Sequence, residues 1–249
     1  MSEQLILENG DCLSLRHVDG KQPHEIVFMH GTLSDKNASK SLFLEEFCRK
    51  NNIGYTAFDF IGHGESSGKY TDGTIGIWFG NALEIIDRVT TSPLILVGSS
   101  MGGWIALLAA KARPQRIKAV VGLAAAADFT VDVWNSFSDR QKKEIREKGV
   151  IYTPNGWTEE GDPWTKQLFD DAEQYLLLKG KDSLDIQCPL TLIHGAKDDC
   201  VPVETAFKIM AAAKTENVKA VILKNSGHRL SEPDELLVLE QELSNFIKI

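Results

Sequence analysis

Short runs of apolar residues recur along the chain, and most of them are separated by segments whose apolar residues follow a helical spacing. The runs are rich in Val, Ile, Leu and Phe: Glu25–Met29, Tyr55–Phe58, Leu94–Val97, Ala119–Leu123, Leu190–Ile193 and Ala220–Leu223. Such runs are typical of strands buried on both faces, as in a parallel sheet. The helical segments are Lys40–Lys50, Trp78–Val89, Gly103–Ala112, Glu204–Ala213 and Glu235–Ile247. This alternation predicts an α/β fold, with a mostly parallel, doubly wound sheet and helices on both of its faces.

Two stretches depart from the alternation. Residues Gln4–Val18, with the turn signal Asn9-Gly10, predict an antiparallel hairpin that leads into the sheet. Between the fourth and fifth apolar runs no buried strand is indicated, and residues 128–185 hold 8 of the 20 aromatic residues. We therefore expect a single domain, residues 1–249, with a small helical cap inserted at about 126–186. Three tryptophans of the cap are candidates for a substrate-binding acyl pocket: Trp134, Trp157 and Trp164. The alternative is that the aromatic residues form a satellite core that holds the insertion together.

Composition and charge narrow the classes of function. The chain has 249 residues, of which 43% are hydrophobic and 25% charged, as in globular proteins. A formal net charge of −8 argues against binding to nucleic acid or to an anionic membrane surface. The four cysteines show neither a disulfide framework nor a metal-ligand spacing, so no metal or cofactor is expected. Residues 1–10 lack a signal-peptide pattern, and no apolar run approaches the ~20 residues of a membrane span. We expect a cytoplasmic protein.

A candidate nucleophile lies between a predicted strand and a predicted helix. There the chain reads Gly98-Ser99-Ser100-Met101-Gly102. A sharp strand-to-helix turn strains the backbone at its central residue and requires nearly side-chain-free positions two residues to either side. Only Ser100 has Gly at both of those positions. We therefore predict that Ser100 is a nucleophile, the alternative being a structural turn serine.

A serine nucleophile needs a base, and the base needs a carboxylate that orients it. His228 alone of the six histidines follows the last predicted strand, and at turns of this kind the order along the chain is Ser, acid, His. The acid is expected just after the preceding strand, where Asp198 lies three residues beyond Gly195. The adjacent Asp199 is the alternative.

An oxyanion hole requires two backbone N–H donors near the nucleophile. One is expected from Met101, which follows Ser100. The other should come from the loop after the first apolar run, which reads His30-Gly31-Thr32-Leu33. Thr32 is the predicted donor, with Leu33 as the alternative.

These motifs, in this order, resemble the α/β-hydrolase superfamily. They are His30-Gly31, the segment Asp59-Phe60-Ile61-Gly62-His63-Gly64-Glu65-Ser66, the Ser100 turn, His194-Gly195-Ala196-Lys197-Asp198-Asp199-Cys200-Val201-Pro202 and Gly227-His228. Within the superfamily the chain is similar to the mitochondrial acyl-protein thioesterase and acyl-glucuronide esterase group and its bacterial relatives. The strings that carry this likeness include Glu45-Glu46-Phe47-Cys48, Leu96–Trp104 and Ala112-Arg113-Pro114. The targeting peptide of the mitochondrial proteins is missing, which favours a bacterial cytosolic member, and the loop at His30 lacks the Gly-rich run of many lipases.

The resemblance implies a serine hydrolase with a Ser-His-Asp triad that cleaves carboxylic esters or thioesters. Its substrate would be a small molecule or an acylated protein. A Ser nucleophile argues against haloalkane dehalogenases and epoxide hydrolases, which use a carboxylate. Two other hypotheses stay open: a serine peptidase of the same fold, although no propeller-like second domain is evident, and a non-catalytic binding protein on this fold.

Overall fold

The structure is a computed structural model that describes residues 2–155 and 159–247. Its strands are β1 (Glu3–Ile6), β2 (Cys12–Val18), β3 (Glu25–Met29), β4 (Gly54–Phe58), β5 (Leu94–Ser99), β6 (Ile117–Leu123), β7 (Val150–Thr153), β8 (Asp162–Thr165), β9 (Leu190–Gly195) and β10 (Val218–Leu223). Eight of them form one sheet in the order β1-β2-β4-β3-β5-β6-β9-β10. The remaining two, β7 and β8, pair with each other.

The sheet confirms the predicted fold class. From β4 to β10 neighbouring strands of the large sheet run parallel, while β1 with β2 and β2 with β4 are antiparallel. The predicted hairpin is the β1–β2 pair. The strands exceed the apolar runs by up to two residues, because backbone pairing continues where side chains are small or polar. At the end of β5, Gly98 and Ser99 still pair with Gly122 and Leu123 of β6.

Helices cover both faces of the sheet. They are α1 (Ser39–Asn51), α2 (Ile75–Arg88), α3 (Met101–Ala112), α4 (Phe129–Ser136), α5 (Asp139–Lys148), α6 (Lys166–Ala172), α7 (Glu204–Ala212) and α8 (Pro233–Ile247). On one face, α1 and α8 pack through Leu44 and Leu243 against Ile26 and Phe28 of β3. On the other face, α2, α3 and α7 join a second core that contains Val27 and Met29. Successive residues of β3 thus enter different cores, which explains why the strand is apolar from Ile26 to Met29.

The segment 126–186 between β6 and β9 contains α4, α5, α6 and the two-stranded β7–β8 sheet. The sequence pattern predicts only helices here, and the β7–β8 pair is a difference. Each of these strands is four residues long and mostly half-exposed, and β8 includes Pro163. Short, partly exposed strands have no continuous apolar run, and Pro within a run speaks against a strand. The pattern therefore could not reveal them.

Aromatic and aliphatic side chains of the 126–186 segment form a satellite core of their own. Its buried members are Phe137, Ile145, Ile151 and Phe169, with Trp134 and Trp164 partly buried against them. Trp157 lies outside the described residues. None of the helices in the described part of the chain combines the length and the apolar composition that a bilayer crossing requires.

Candidate active site

Ser100 occupies the turn between β5 and α3 with a strained backbone, at φ 54° and ψ −121°. The flanking glycines make this turn sterically feasible. A Cβ on Gly98 would lie 2.2 Å from the carbonyl oxygen of Gly102, and a Cβ on Gly102 would lie 2.1 Å from that of Met29. Such an over-determined, strained residue between a strand and a helix is the geometry of a nucleophile elbow.

Hydrogen bonds hold the backbone of Ser100 at its N–H group and at its carbonyl group. Its N–H donates to the carbonyl of Leu123 at 2.9 Å, and its own carbonyl accepts from the N–H groups of Gly103 and Ala126 at 2.9 and 3.0 Å. The turn is thereby tied to the end of β6 and to the first residues of the 126–186 segment. These bonds offset the cost of the strained conformation.

Ser100, His228 and Asp198 lie together at the carboxyl edge of the sheet. His228 Nε2 is 3.1 Å from Ser100 Oγ, and His228 Nδ1 is 2.9 Å from Asp198 Oδ2. The two partners of His228 are therefore on opposite ring nitrogens, as a base with an orienting acid requires. The structure thus brings together the three residues predicted from the sequence, whereas the Asp199 carboxylate is 3.5 Å from the Cys200 sulfur and exposed.

The Asp198 carboxylate is fully buried and saturated with donors. Oδ1 accepts from the backbone N–H groups of Cys200 and Val201 at 2.9 and 2.8 Å. Burial alone would raise the pKa of Asp198. The hydrogen bonds from His194, His228 and the Val201 backbone outweigh it and hold that pKa well below its ordinary value. The carboxylate is therefore ionised beside His228, where it stabilises an imidazolium.

His194 is part of this cluster, and the sequence analysis missed it. The residue lies near the end of β9, directly before Gly195, in a fully buried position. Its Nε2 lies 2.9 Å from the carbonyl oxygen of Val201 and 3.2 Å from Asp198 Oδ2. The search for a base considered only a histidine after the last predicted strand, and the signal that identifies His194 is its place four residues before Asp198 near a strand end.

The loop after β3 lies against Ser100. A Cβ on Gly31 would be 3.0 Å from Ser100 Cβ, and Leu33 adopts the left-handed region at φ 53°. Within residues 2–155 and 159–247, the backbone N–H groups of Thr32, Leu33 and Met101 donate no hydrogen bond. Free N–H groups next to Ser100 are what an oxyanion hole requires. The assignment of Thr32 rather than Leu33 stays a prediction.

His30 fixes the start of this loop through hydrogen bonds at both ring nitrogens. One ring nitrogen, Nδ1, donates to the carbonyl of Gly31 at 2.8 Å, and the other, Nε2, accepts the N–H of Phe60 at 3.2 Å. Burial lowers the pKa of His30 to about 4. The ring is therefore neutral at physiological pH, as a residue that donates on one nitrogen and accepts on the other must be.

A buried ion pair fixes the end of the same loop. Lys36 Nζ lies 2.8 Å from Asp59 Oδ2 and 2.6 Å from Glu65 Oε2, and the side chains of Lys36 and Asp59 are fully buried. Asp59 also accepts the backbone N–H groups of Lys36 and Glu65. The loop of residues 30–36 is thus joined to the turn that follows β4.

Trp134 and Trp164, two of the tryptophans predicted to bind substrate, lie in the satellite core. Trp164 packs against Phe137 and Phe169, with ring centroids 6.3 and 6.1 Å apart. Trp134 lines a surface cavity of about 720 Å³ together with Phe169 and Arg146, whose guanidinium lies over the Trp134 ring. Neither ring makes a hydrogen bond or ring contact with the Ser100 cluster among the described residues. Both side chains pack in the satellite core, and their role in binding substrate stays a prediction.

The two ends of the 126–186 segment are tied to each other, and one of them contacts α3. Asp128, in the left-handed region at φ 59°, accepts the N–H of Leu177 at 2.9 Å and that of Leu178 at 2.8 Å. Trp104 of α3 donates through Nε1 to the carbonyl of Tyr175 at 3.2 Å. The helix that begins at the nucleophile is therefore in direct contact with the segment.

Comparison with known proteins gives the family of the chain. The profile of the prolyl oligopeptidase family matches residues 82–248, a range that includes Ser100, Asp198 and His228. Human mitochondrial palmitoyl-protein thioesterase ABHD10 is 37% identical over 236 residues, which are 94% of this chain and 76% of the human protein. The chain belongs to the prolyl oligopeptidase family, as an α/β-hydrolase related to ABHD10.

Solved structures extend the likeness of this α/β-hydrolase to the whole fold. Mouse α/β-hydrolase domain-containing protein 10 superposes with a TM-score of 0.92 at 32% identity, covering 100% of this chain and 98% of the mouse chain. Est1E from Butyrivibrio proteoclasticus, with ferulic acid bound, has a TM-score of 0.79 at 20% identity over 99% of this chain and 97% of its own, and shows the fold alone. The resemblance predicted from the sequence is confirmed, and with it the expectation of a hydrolase of this family.

The expected cytoplasmic location of this α/β-hydrolase is wrong by the same comparison. The bovine and human relatives, both 37% identical, carry names that place them in mitochondria, which points away from the cytoplasm. The expectation had rested on the pattern of residues 1–10 and on the lack of a long apolar run, and neither observation identifies a compartment.

Proposed function

We propose that this α/β-hydrolase cleaves carboxylic thioesters or esters by acyl transfer to Ser100. The observation that carries the proposal is the unbroken series of contacts from Ser100 Oγ to His228 Nε2, at 3.1 Å, and from His228 Nδ1 to Asp198 Oδ2, at 2.9 Å. The names of the relatives that align over most of the chain, palmitoyl-protein thioesterases, support the substrate class.

In the first step Ser100 Oγ forms a bond to the acyl carbon while His228 Nε2 takes its proton. Asp198 keeps the imidazole in the tautomer whose Nε2 is free to accept, and it stabilises the imidazolium that results. The N–H groups of Met101 and Thr32 bind the oxyanion. When the carbon–sulfur or carbon–oxygen bond breaks, His228 returns the proton to the leaving thiol or alcohol.

In the second step water replaces the leaving group. His228 takes a proton from a water molecule while the water oxygen forms a bond to the acyl carbon. His228 then gives a proton to Ser100 Oγ when the bond between the acyl group and the serine breaks. The products are a free carboxylic acid and the regenerated serine. No redox change occurs, and His228 accepts and returns every proton that is transferred.

We also propose that the 126–186 segment is a cap that supplies contacts to the acyl group. Its support is the pair of links near the nucleophile, through Ala126 to the Ser100 carbonyl and through Tyr175 to Trp104. The substrate would be a small acylated molecule or an acylated protein. A Trp134→Ala variant tests the tryptophans: an unchanged acyl preference would leave them with a structural role only.

The decisive variant is Ser100→Ala, with Ser99→Ala as its matched control. Ser99 is the adjacent residue in the same turn, but its side chain makes no hydrogen bond among the described residues. We expect Ser100→Ala to lose both ester hydrolysis and labelling by a fluorophosphonate probe, and Ser99→Ala to keep both. Persistent activity in Ser100→Ala would refute the nucleophile, and an unlabelled, inactive wild type would favour a non-catalytic binding protein.

A second candidate, peptidase activity, is favoured by the name of the matching family alone. Parallel assays with oxygen esters, thioesters and prolyl amides, each over a series of acyl lengths, separate the two. We expect turnover of esters and thioesters with a preference for long acyl chains. Rates that peak at acetyl would contradict the long-acyl substrate, and amide turnover above ester turnover would establish the peptidase.

A further inference from the structure

Cys200 stands at the open side of the proposed triad. Its side chain is exposed, while its backbone N–H donates to Asp198 Oδ1 at 2.9 Å. One donor atom from each of Asp198, Cys200 and His228 lies within 4.8 Å of the other two. A carboxylate, a thiol and an imidazole therefore meet in one place, although Asp198 and His228 are 30 residues apart in the sequence.

From this juxtaposition we propose that Asp198, Cys200 and His228 form an inhibitory binding site for zinc or another thiophilic divalent cation. Nδ1 is the ring nitrogen of His228 that faces Asp198, so it is the nitrogen ligand. Thiolate and imidazole donors favour Zn²⁺ and Cd²⁺ over Mg²⁺ and Ca²⁺, which prefer all-oxygen sites.

The spacing suits such a cation after a small adjustment. Bonds of about 2.0 to 2.3 Å around tetrahedral zinc place the ligands roughly 3.3 to 3.7 Å apart. His228 Nδ1 and Asp198 Oδ2, now 2.9 Å apart, would separate slightly. The exposed Cys200 side chain would close the remaining distance by rotation, since among the described residues its sulfur makes one hydrogen bond, to the Asp199 carboxylate at 3.5 Å.

The cation would replace the proton between His228 and Asp198. The Nδ1–H bond breaks, Nε2 gains a proton, and the Cys200 thiol loses its proton to solvent, so that one proton is released in total and no electron is transferred. With a proton on Nε2, His228 faces Ser100 Oγ as a donor and no longer accepts its proton. Inhibition follows from this change of tautomer, and it rests on the proposed function.

The inhibition test uses zinc titration of ester hydrolysis in the wild type, in Cys200→Ala and in the matched control Cys12→Ser. Loss of an outer partner of a metal ligand already lowers metal affinity about 10- to 100-fold, so Cys200→Ala should require at least about tenfold more zinc for half-inhibition. Its rate without zinc should equal that of the wild type, and a chelator should restore the inhibited wild type. Equal zinc sensitivity of wild type and Cys200→Ala would overturn the proposal.

A binding test separates this site from the proposed function. Cadmium bound to a thiolate gives an ultraviolet charge-transfer band, and we expect that band in the wild type, in Cys12→Ser and in Ser100→Ala. It should be absent in Cys200→Ala and weakened in His228→Ala. A band that survives in Cys200→Ala would refute the site even in an active enzyme. A band that depends on Cys200 and His228 in a protein without esterase activity would support the site and refute the proposed function.

Discussion

His194 Nε2 lies 3.2 Å from Asp198 Oδ2, the same carboxylate oxygen that faces His228 Nδ1. Two imidazoles therefore converge on one oxygen of a buried carboxylate. The His194 ring, which also donates to the carbonyl of Val201, fixes the direction in which that oxygen points. It acts on the chemistry only through Asp198, as a positioning residue.

Replacing His194 with Phe should lower kcat without changing KM. The change removes a hydrogen bond to a charged group, worth about 1.5 to 3 kcal/mol, and hence about 10- to 100-fold in rate if it is felt only in the transition state. His194→Gln, whose amide nitrogen can replace Nε2 as a donor, should recover part of the loss. Steady-state kinetics on one ester decide the matter: equal losses in both variants, or a change confined to KM, would contradict the positioning role.

Replacing Lys36 with Met should destabilise the fold by about 3 to 5 kcal/mol, because Asp59 would be left as a buried, unpaired charge. Lys50→Met is the matched control, since Lys50 forms an exposed pair with Glu46 that contributes little. Urea unfolding measures both. In a double-mutant cycle, Asp59→Asn should cost less in the Lys36→Met background than in the wild type, and additive losses would show that the pair is not coupled.

The buried His63 should make stability fall as the pH drops. Burial, together with the neighbouring His30, lowers the pKa of His63 to about 3, against about 6.5 in the unfolded chain. Below pH 6.5 the unfolded state therefore binds a proton that the folded state refuses, and the free energy of unfolding decreases with falling pH. By pH 5 this effect amounts to about 2 kcal/mol for one such histidine.

A His63→Phe variant should therefore lose less stability than the wild type between pH 7 and pH 5. Phe suits the site because the His63 ring is surrounded by the rings of Phe60, Tyr70 and Trp78. Urea unfolding at the two pH values gives the difference directly, and titrating groups that do not interact with His63 cancel in the comparison. Identical losses in wild type and variant would contradict the buried neutral histidine.

Two glycines in helices should respond in opposite ways to Ala. At Gly80 in α2 an added Cβ meets nothing within 4 Å, so Gly80→Ala should stabilise the protein by about 0.5 to 1 kcal/mol and leave probe labelling unchanged. At Gly102 the Cβ would lie 2.1 Å from the Met29 carbonyl oxygen, so Gly102→Ala should lower the melting temperature and abolish labelling of Ser100. A labelled, stable Gly102→Ala variant would contradict the elbow geometry.

The sequence predicted those parts of the fold in which both faces of a strand are buried, because such strands show as continuous apolar runs. It could not predict β7 and β8, whose residues are half-exposed and include Pro163. The strained turn at Ser100 was recognisable because its steric requirement at Gly98 and Gly102 is met only by glycine, which the sequence shows. Contacts between residues that are distant in the sequence leave no such pattern.

For the acid, spacing was sufficient: the position three residues beyond Gly195 favoured Asp198 over Asp199, and the turn places the Asp198 carboxylate against His228. For His194 it was insufficient, because this residue precedes the last strand and its contacts run forward to Val201 and Asp198. Composition located the aromatic cluster of the 126–186 segment, but the choice between packing against a substrate and packing against one another depends on tertiary contacts that a count of aromatic residues does not contain.

The hydrogen bonds at Asp128 and at the Ser100 carbonyl determine which part of the chain can change in evolution without disturbing Ser100. Ala126 is fixed to the Ser100 carbonyl by a backbone hydrogen bond, and the Asp128 carboxylate ties the far end of the segment back to this start by accepting the N–H groups of Leu177 and Leu178. Insertions, deletions or exchanges between α4 and α6 would therefore leave these links and the elbow intact. New specificities can arise in such a protein by replacing one internal stretch, while the machinery that breaks the acyl bond is inherited without change.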